Sequence, residues 1–279
     1  MIYVSTGGFY DSTGFKSAVS LAKSGLKNIE LSGGTYDEDY LSNISSISKD
    51  CNLQIHNYFP PPKSPFVLNF ASVDDSITSL SMLHAKNAIE LASLLGSKYC
   101  SFHAGFLVDP KMNELGEKFS HGDMVNRAHA KELFLERINQ LAVIANKKDI
   151  KILIENNVLS QKNRSQNPFL MVDHEECVEI IHKTAENVGM LVDLAHLKVS
   201  SLSLGFCKYD FLEATKEYTF AYHLSDNDGL TDSNEPVRED SWFWNYLRKD
   251  LDYYSLEVYR VSNEILHEQV DITKEAIWN

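Results

Sequence analysis

The sequence predicts a (β/α)8 TIM barrel that spans residues 1–279 as a single domain. Three observations carry that expectation. Short runs rich in β-branched and aromatic residues recur eight times, separated by polar or glycine-containing turns and stretches with helical spacing. The chain has 279 residues, close to the usual size of this fold, about 250 residues. Ligand-type and proton-transferring side chains stand at the ends of six consecutive runs, where such a barrel builds its site.

The runs predicted as strands cover residues 2–5, 28–31, 53–58, 98–103, 150–156, 188–193, 220–224 and 254–258. Helical spacing occupies 15–24, 38–48, 75–95, 125–147, 175–186, 209–215 and 242–247, several stretches stopping at a glycine such as Gly25 or Gly96. Parallel strands need helical crossovers, so the alternation points to a parallel sheet. An open doubly wound sheet would alternate in the same way, but its dinucleotide-binding form needs a glycine-rich turn after an early strand. Ser5-Thr6-Gly7-Gly8 follows the first run, and no G-x-G-x-x-G is present. Two connections are long: 59–73, stiffened by Pro60-Pro61-Pro62, and 104–124. Both are expected to rise over the barrel mouth as lids or substrate walls.

Composition narrows the function. Lys and Arg total 26 against 39 Asp and Glu, a formal charge of -13, which disfavours nucleic acid as a partner. Hydrophobic residues at 43% and charged residues at 23% describe an ordinary globular core and exclude disorder. Cys51, Cys100, Cys177 and Cys207 lie far apart with no C-x-x-C pair, so neither a disulfide framework nor a thiolate zinc site is expected. No apolar run approaches the roughly 18 to 20 residues that span a bilayer, and the N-terminus lacks signal-peptide character. A soluble cytoplasmic protein without a membrane partner is the resulting expectation.

The chemistry concentrates at the strand ends. Strand three ends at His56, strand four at His103, strand five at Glu155, strand six at Asp193 with His196 following, strand seven at His223 and strand eight at Glu257. Carboxylates inside apolar runs such as Lys-Ile-Leu-Ile-Glu155 are costly to bury unless paired or bound to a metal. Glu155, Asp193, His223 and Glu257 offer three carboxylates and one imidazole with no thiolate. That set suits a divalent ion such as Mn, Mg, Co or Zn and leaves positions open for substrate. Glu30 on strand two reads equally as a rim contact or a structural partner. His84, His129 and His182 fall inside helical patterns, His121 and His174 near loops and His267 near the C-terminus, and none is assigned a role.

At these residues the chain resembles the xylose isomerase-like TIM barrel superfamily, which contains sugar and sugar-phosphate isomerases and epimerases and the endonuclease IV type of apurinic-site nuclease. The carriers are His56-Asn57-Tyr58, the stretch 67–72, Phe102-His103-Ala104-Gly105, Ile154-Glu155-Asn156, Val192-Asp193-Leu194-Ala195-His196, the stretch 223–229 and Leu256-Glu257, in family order over nearly the whole chain. The resemblance implies that Glu155, Asp193, His223 and Glu257 hold a catalytic divalent ion while His196 and His103 contact substrate. It implies that Glu155 and Glu257 are also the base and acid of an isomerase or epimerase passing through an enediol-like intermediate, with a small-molecule sugar or sugar phosphate as substrate. His56 is expected to line the opposite wall. Homo-oligomers formed through rim helices are implied as well.

The nuclease branch binds three zinc ions, and the stretch 67–72 resembles it. There His56 and His103 would join Glu155 on one ion, and His196 would join an Asp-x-His pair on another; here that pair reads Asp232-Ser233-Asn234, and asparagine is a poor zinc ligand. A metal-dependent phosphodiesterase and a non-catalytic sugar-binding barrel are therefore the alternatives to the isomerase. The isomerase pattern itself departs after strand seven, where a histidine and a Gly-x-Gly turn give way to Asn234-Glu235-Pro236-Val237-Arg238. Arg238 is the candidate contact for a substrate phosphate or carboxylate, against the simpler reading of a solvated loop arginine. Trp242 and Trp244 could stack on a sugar ring or pack against the barrel.

Overall fold

The computed structural model describes residues 1–9, 11–119 and 124–278, so His121 lies outside the described residues. Eight parallel strands close in sequence order: β1 (Ile2–Ser5), β2 (Asn28–Leu31), β3 (Asn52–His56), β4 (Tyr99–His103), β5 (Lys151–Glu155), β6 (Val188–Asp193), β7 (Thr219–Leu224) and β8 (Tyr253–Leu256). β8 pairs back onto β1 through Ile2, Tyr3 and Val4, so the sheet is a closed barrel and the open doubly wound alternative is excluded. Around it run α1 (Gly14–Ser24), α2 (Tyr40–Ile47), α3 (Asp75–Leu94), α4 (Arg127–Asn146), α5 (His174–Ile181), α6 (Leu194–Leu204), α7 (Lys208–Thr215) and α8 (Asn263–Trp278). Among the described residues no helix is long and apolar enough to cross a membrane.

Side-chain parity along the strands explains where the site sits. Tyr3, Leu153, Leu191, Ala221 and Tyr253 fill the lower barrel as one apolar layer. Two residues further along their strands, on the same inward face, come Ser5, Glu155, Asp193, His223 and Ser255. The alternate residues, among them Ile152, Ile154, Val192, Tyr222 and Leu224, face the helices and form the main core. Strand register then pairs His103 with Glu155 and Asp193 with His223 across neighbouring strands.

The helix starts follow local chemistry. Asp74 accepts from the amides of Ser76 and Ile77 at the start of α3, and Asn126 does the same for Ala128 and His129 at α4. Gly25 ends α1 at φ 100, a left-handed conformation that suits glycine. Two helices were absent from the sequence reading. α6 is buried on nearly every face and mixes leucines with Ser200, Ser201 and Ser203, so it carries no amphipathic stripe. α8, not the 242–247 stretch, packs as the eighth helix. That stretch forms only a short turn at Trp244–Tyr246, because Leu247 is already extended and the Trp244 indole donates to the Arg238 carbonyl at 2.7 Å. The third and eighth strands also stop earlier than expected, at His56 and Leu256.

Candidate metal centre at the barrel mouth

Glu155 is the hub of the upper barrel. Its Oε2 lies 3.3 Å from His56 Nε2 and 3.0 Å from His103 Nε2, while Oε1 lies 3.4 Å from both His196 Nδ1 and His223 Nδ1. His223 Nδ1 also stands 3.6 Å from Asp193 Oδ2 and 3.3 Å from Glu257 Oε2. Glu257 lies one residue beyond β8 and completes the ring. One ligand atom from each of Glu155, Asp193, His223 and Glu257 falls within 4.8 Å of the others, and His56 forms a second such group with Glu155 and His223.

Each side chain is fixed by its own element. Asp193 ends β6 and caps α6, its Oδ1 accepting from the His196 amide at 2.7 Å, so Oδ2 is left for the cavity. The same cap places His196 one turn into α6, where its Nδ1 meets the Asn156 carbonyl at 2.9 Å and its Nε2 meets Asp232 Oδ2 at 3.1 Å. His56 Nδ1 bonds Ser101 Oγ at 2.9 Å, which turns Nε2 toward Glu155. Asn156 ties the ends of β5 and β6 together: its amide nitrogen donates to the Asp193 carbonyl and its oxygen accepts from the Asp193 amide.

Two residues beyond the expected set complete the centre. Glu30 is fully buried and its Oε2 accepts from His223 Nε2 at 2.9 Å and from the Tyr253 hydroxyl at 2.5 Å, which makes it a structural partner rather than a rim contact. An acidic residue inside the apolar run Asn28-Ile29-Glu30-Leu31 was its only signal. The Tyr259 hydroxyl donates to Glu257 Oε1 at 2.6 Å, and its ring lies over Gly7 and Gly8.

The electrostatics are those of a buried cluster of opposite charges. Burial opposes ionisation of Glu155, but His103, His223 and His56 hold its carboxyl well below the usual range. Burial likewise opposes the charge on His223, yet Glu30, Glu257 and Glu155 hold its pKa well above the ordinary value. Burial opposes the charge on Glu30 as well, but the attraction and hydrogen bond of His223, with His56 and the Tyr253 hydroxyl, together bring it down to about 2. Burial, with the repulsion of Glu155 and Asp193, raises Glu257 despite the attraction of His223. Among the described residues every ion-pair partner of these four carboxylates is a histidine.

The donor set fits a divalent cation. Glu155 Oε1 and Oε2, Asp193 Oδ2 and His223 Nδ1 are buried without a hydrogen bond, a costly arrangement unless a cation takes their lone pairs. Above them opens a cavity of about 290 Å³ reached by His103, His196 and Asp232 and walled by Phe106, Leu115 and Phe119. The described part of the 104–124 connection thus walls the mouth through Phe106, Leu115 and Phe119, while 120–123 lie outside the described residues. Arg238 is not brought there: it is exposed beside a separate hollow with Lys198, Lys208 and Trp242. Trp242 packs against Tyr209 and Phe243, and Trp244 is buried.

Comparison with known proteins agrees with the barrel fold. The chain superposes on a D-tagatose 3-epimerase-like protein with a TM-score of 0.72 at 20% identity, covering 98% of each chain. A D-psicose 3-epimerase determined in the presence of D-fructose gives 0.70 at 14% identity over 100% of this chain and 99% of that one. The IOLI protein with a bound zinc atom gives 0.69 at 17% identity over 99% and 97%. No curated protein sequence matches the chain. Likeness at these identities is one of fold. A model of one family, however, matches residues 19–278, and by that match the protein belongs to the xylose isomerase-like TIM barrel family.

Proposed function

We propose that the protein is a divalent-metal-dependent isomerase or epimerase of a sugar or sugar phosphate. One observation carries the reading: the ligand atoms of Glu155, Asp193, His223 and Glu257 converge within 4.8 Å, with four buried atoms of Glu155, Asp193 and His223 lacking hydrogen bonds. A divalent ion held there would polarise a ketose carbonyl and its neighbouring hydroxyl, acidifying the C–H bond between them. Glu155 removes that proton and Glu257 returns one, by way of an enediol-like intermediate. Return to the opposite face of the same carbon is epimerisation; return to the adjacent carbon is aldose–ketose isomerisation. His103 and His196, at the floor of the mouth cavity, orient substrate oxygens, and His56 holds the far side of Glu155. The free cysteines support a reducing cytoplasm as the site of action.

The deciding experiment incubates the Mn- or Co-loaded protein with ketoses and their phosphates in deuterated water. Deuterium entering a carbon-bound position, and stopping when the ion is chelated, is the expected result. Absence of exchange with every sugar sinks the proposal.

A second reading, a metal-dependent phosphodiesterase, has one observation in its favour. His56 and His103 both approach Glu155 Oε2, and His196 approaches Asp232, so ligand-type residues extend beyond the four-residue ring. Asn234 and the net charge of -13 oppose it. Two or three zinc ions per chain together with cleavage of abasic DNA would establish it in place of the isomerase.

A further inference from the structure

The mouth cavity has two unlike ends. Its inner end is polar, with His103, His196 and Asp232 beside the carboxylate cluster. Its outer end is built on Phe106, Phe119 and Phe169, whose ring centroids lie 5.1 to 6.1 Å apart. With Val67, Leu159 and Val172 these rings form an apolar cluster separate from the barrel core. The barrel does not need this cluster for closure, since its own layers are filled elsewhere.

The side-chain nitrogen donors at the outer end are already committed. Asn157 Nδ2 donates to the carbonyls of Ala104, Gly105 and Leu170. Asn163 donates to the Glu117 carbonyl and accepts from the Phe119 amide. Lys162, the one Lys or Arg among the described lining residues, pairs with Glu117 Oε2 at 2.8 Å and also donates to the Gly116 carbonyl. A sugar hydroxyl or phosphate placed here would surrender water for a phenylalanine wall and for nitrogen donors that are spoken for, a costly exchange. An apolar ring would gain the burial and edge-to-face contacts that aromatic clusters provide.

We propose that the outer half of the cavity is a subsite for an apolar, ring-bearing substituent on an uncharged sugar. This rests on the isomerase reading and deepens it: the substrate class is an uncharged sugar that keeps a ketone at its reacting end and carries an apolar ring elsewhere, not a sugar phosphate, and simple aryl glycosides, which lack that ketone, serve as unreactive binding probes. The reacting end lies over His103 and His196, and the ring lies between Leu115 and the phenylalanine wall.

The test is calorimetric titration of the full-length, Mn-loaded protein with matched methyl and phenyl β-glycosides of glucose, galactose and xylose, and with glucose 6-phosphate. At least one phenyl glycoside is expected to bind about tenfold more tightly than its methyl partner. That gain should shrink in Leu115→Ser and in Phe169→Leu. Leu115 is 38% exposed, so its replacement leaves the fold in place, and thermal melts check both variants. Equal affinity within every pair, no binding at all, or tightest binding by the phosphate overturns the subsite. A phenyl preference without deuterium exchange in any sugar supports the subsite and overturns the isomerase reading, so the two fail separately.

Discussion

Glu30 and His223 form a buried pair in which Oε2 accepts the Nε2 proton at 2.9 Å, and this bond keeps Nε2 a donor. With Nε2 committed to donation, Nδ1 faces Glu155, Asp193 and Glu257 and is the nitrogen that would give up its proton to offer a lone pair to a cation. Replacing Glu30 by Gln offers His223 a donor and removes that bias. Metal affinity should fall about 10- to 100-fold, measured by competition with a chromophoric chelator. Unchanged affinity in Glu30→Gln would show that the pair is merely structural.

Glu257→Gln should keep the fold and lose turnover. The substitution removes one charged ligand and one proton donor from a residue whose other oxygen is held by Tyr259. A rate loss of about 10²- to 10⁴-fold is expected in the deuterium-exchange assay, with an unaltered circular dichroism spectrum. Wild-type exchange in this variant would refute the two-glutamate mechanism.

Gly7 is required by the same tyrosine. A Cβ at Gly7 would sit 2.3 Å from the Tyr259 hydroxyl oxygen, so Gly7→Ala must push the ring away from Glu257. The cost in stability should be about 1–3 kcal/mol, the range for overpacking, together with reduced exchange activity. Tyr259→Phe in the Gly7→Ala background separates the two effects. If activity falls no further there, displacement of the hydroxyl was the cause; an additional loss of the same size as in Tyr259→Phe alone would point elsewhere.

His84 in α3 imposes a pH limit. It is buried beside Tyr58 and Phe66 with Nε2 unpartnered, and burial lowers its pKa from 6.5 to about 4. Between those values the unfolded chain binds a proton that the folded chain refuses, so stability falls as the pH drops through the window. The loss is complete below a pH of about 4 and amounts to about 3 kcal/mol. Urea unfolding at about pH 7 and about pH 4 should show His84→Phe losing that much less than the wild type. Equal losses in both proteins would remove His84 as the source.

Much of this protein was written in local pattern. Strand parity and the succession of strands and helices are period-2 and period-3.6 signals, so the closed barrel and the residues at its strand ends were legible before any coordinates. The convergence of Glu155, Asp193, His223 and Glu257 follows from that pattern, because a closed parallel barrel brings the ends of all strands to one rim. Other features were settled only by packing between distant segments. α6 hid because a helix buried on most faces has no stripe, and the 242–247 stretch misled because aromatic residues that pack a turn share spacing with a helix. Glu30 could be assigned only once barrel closure set β2 across from β7 and gave it His223 across 193 residues of chain. Arg238 belongs to the same class: it lines a hollow separate from the mouth cavity, and its place depends on the contacts of Ser241 and Trp244 rather than on any repeat in the sequence.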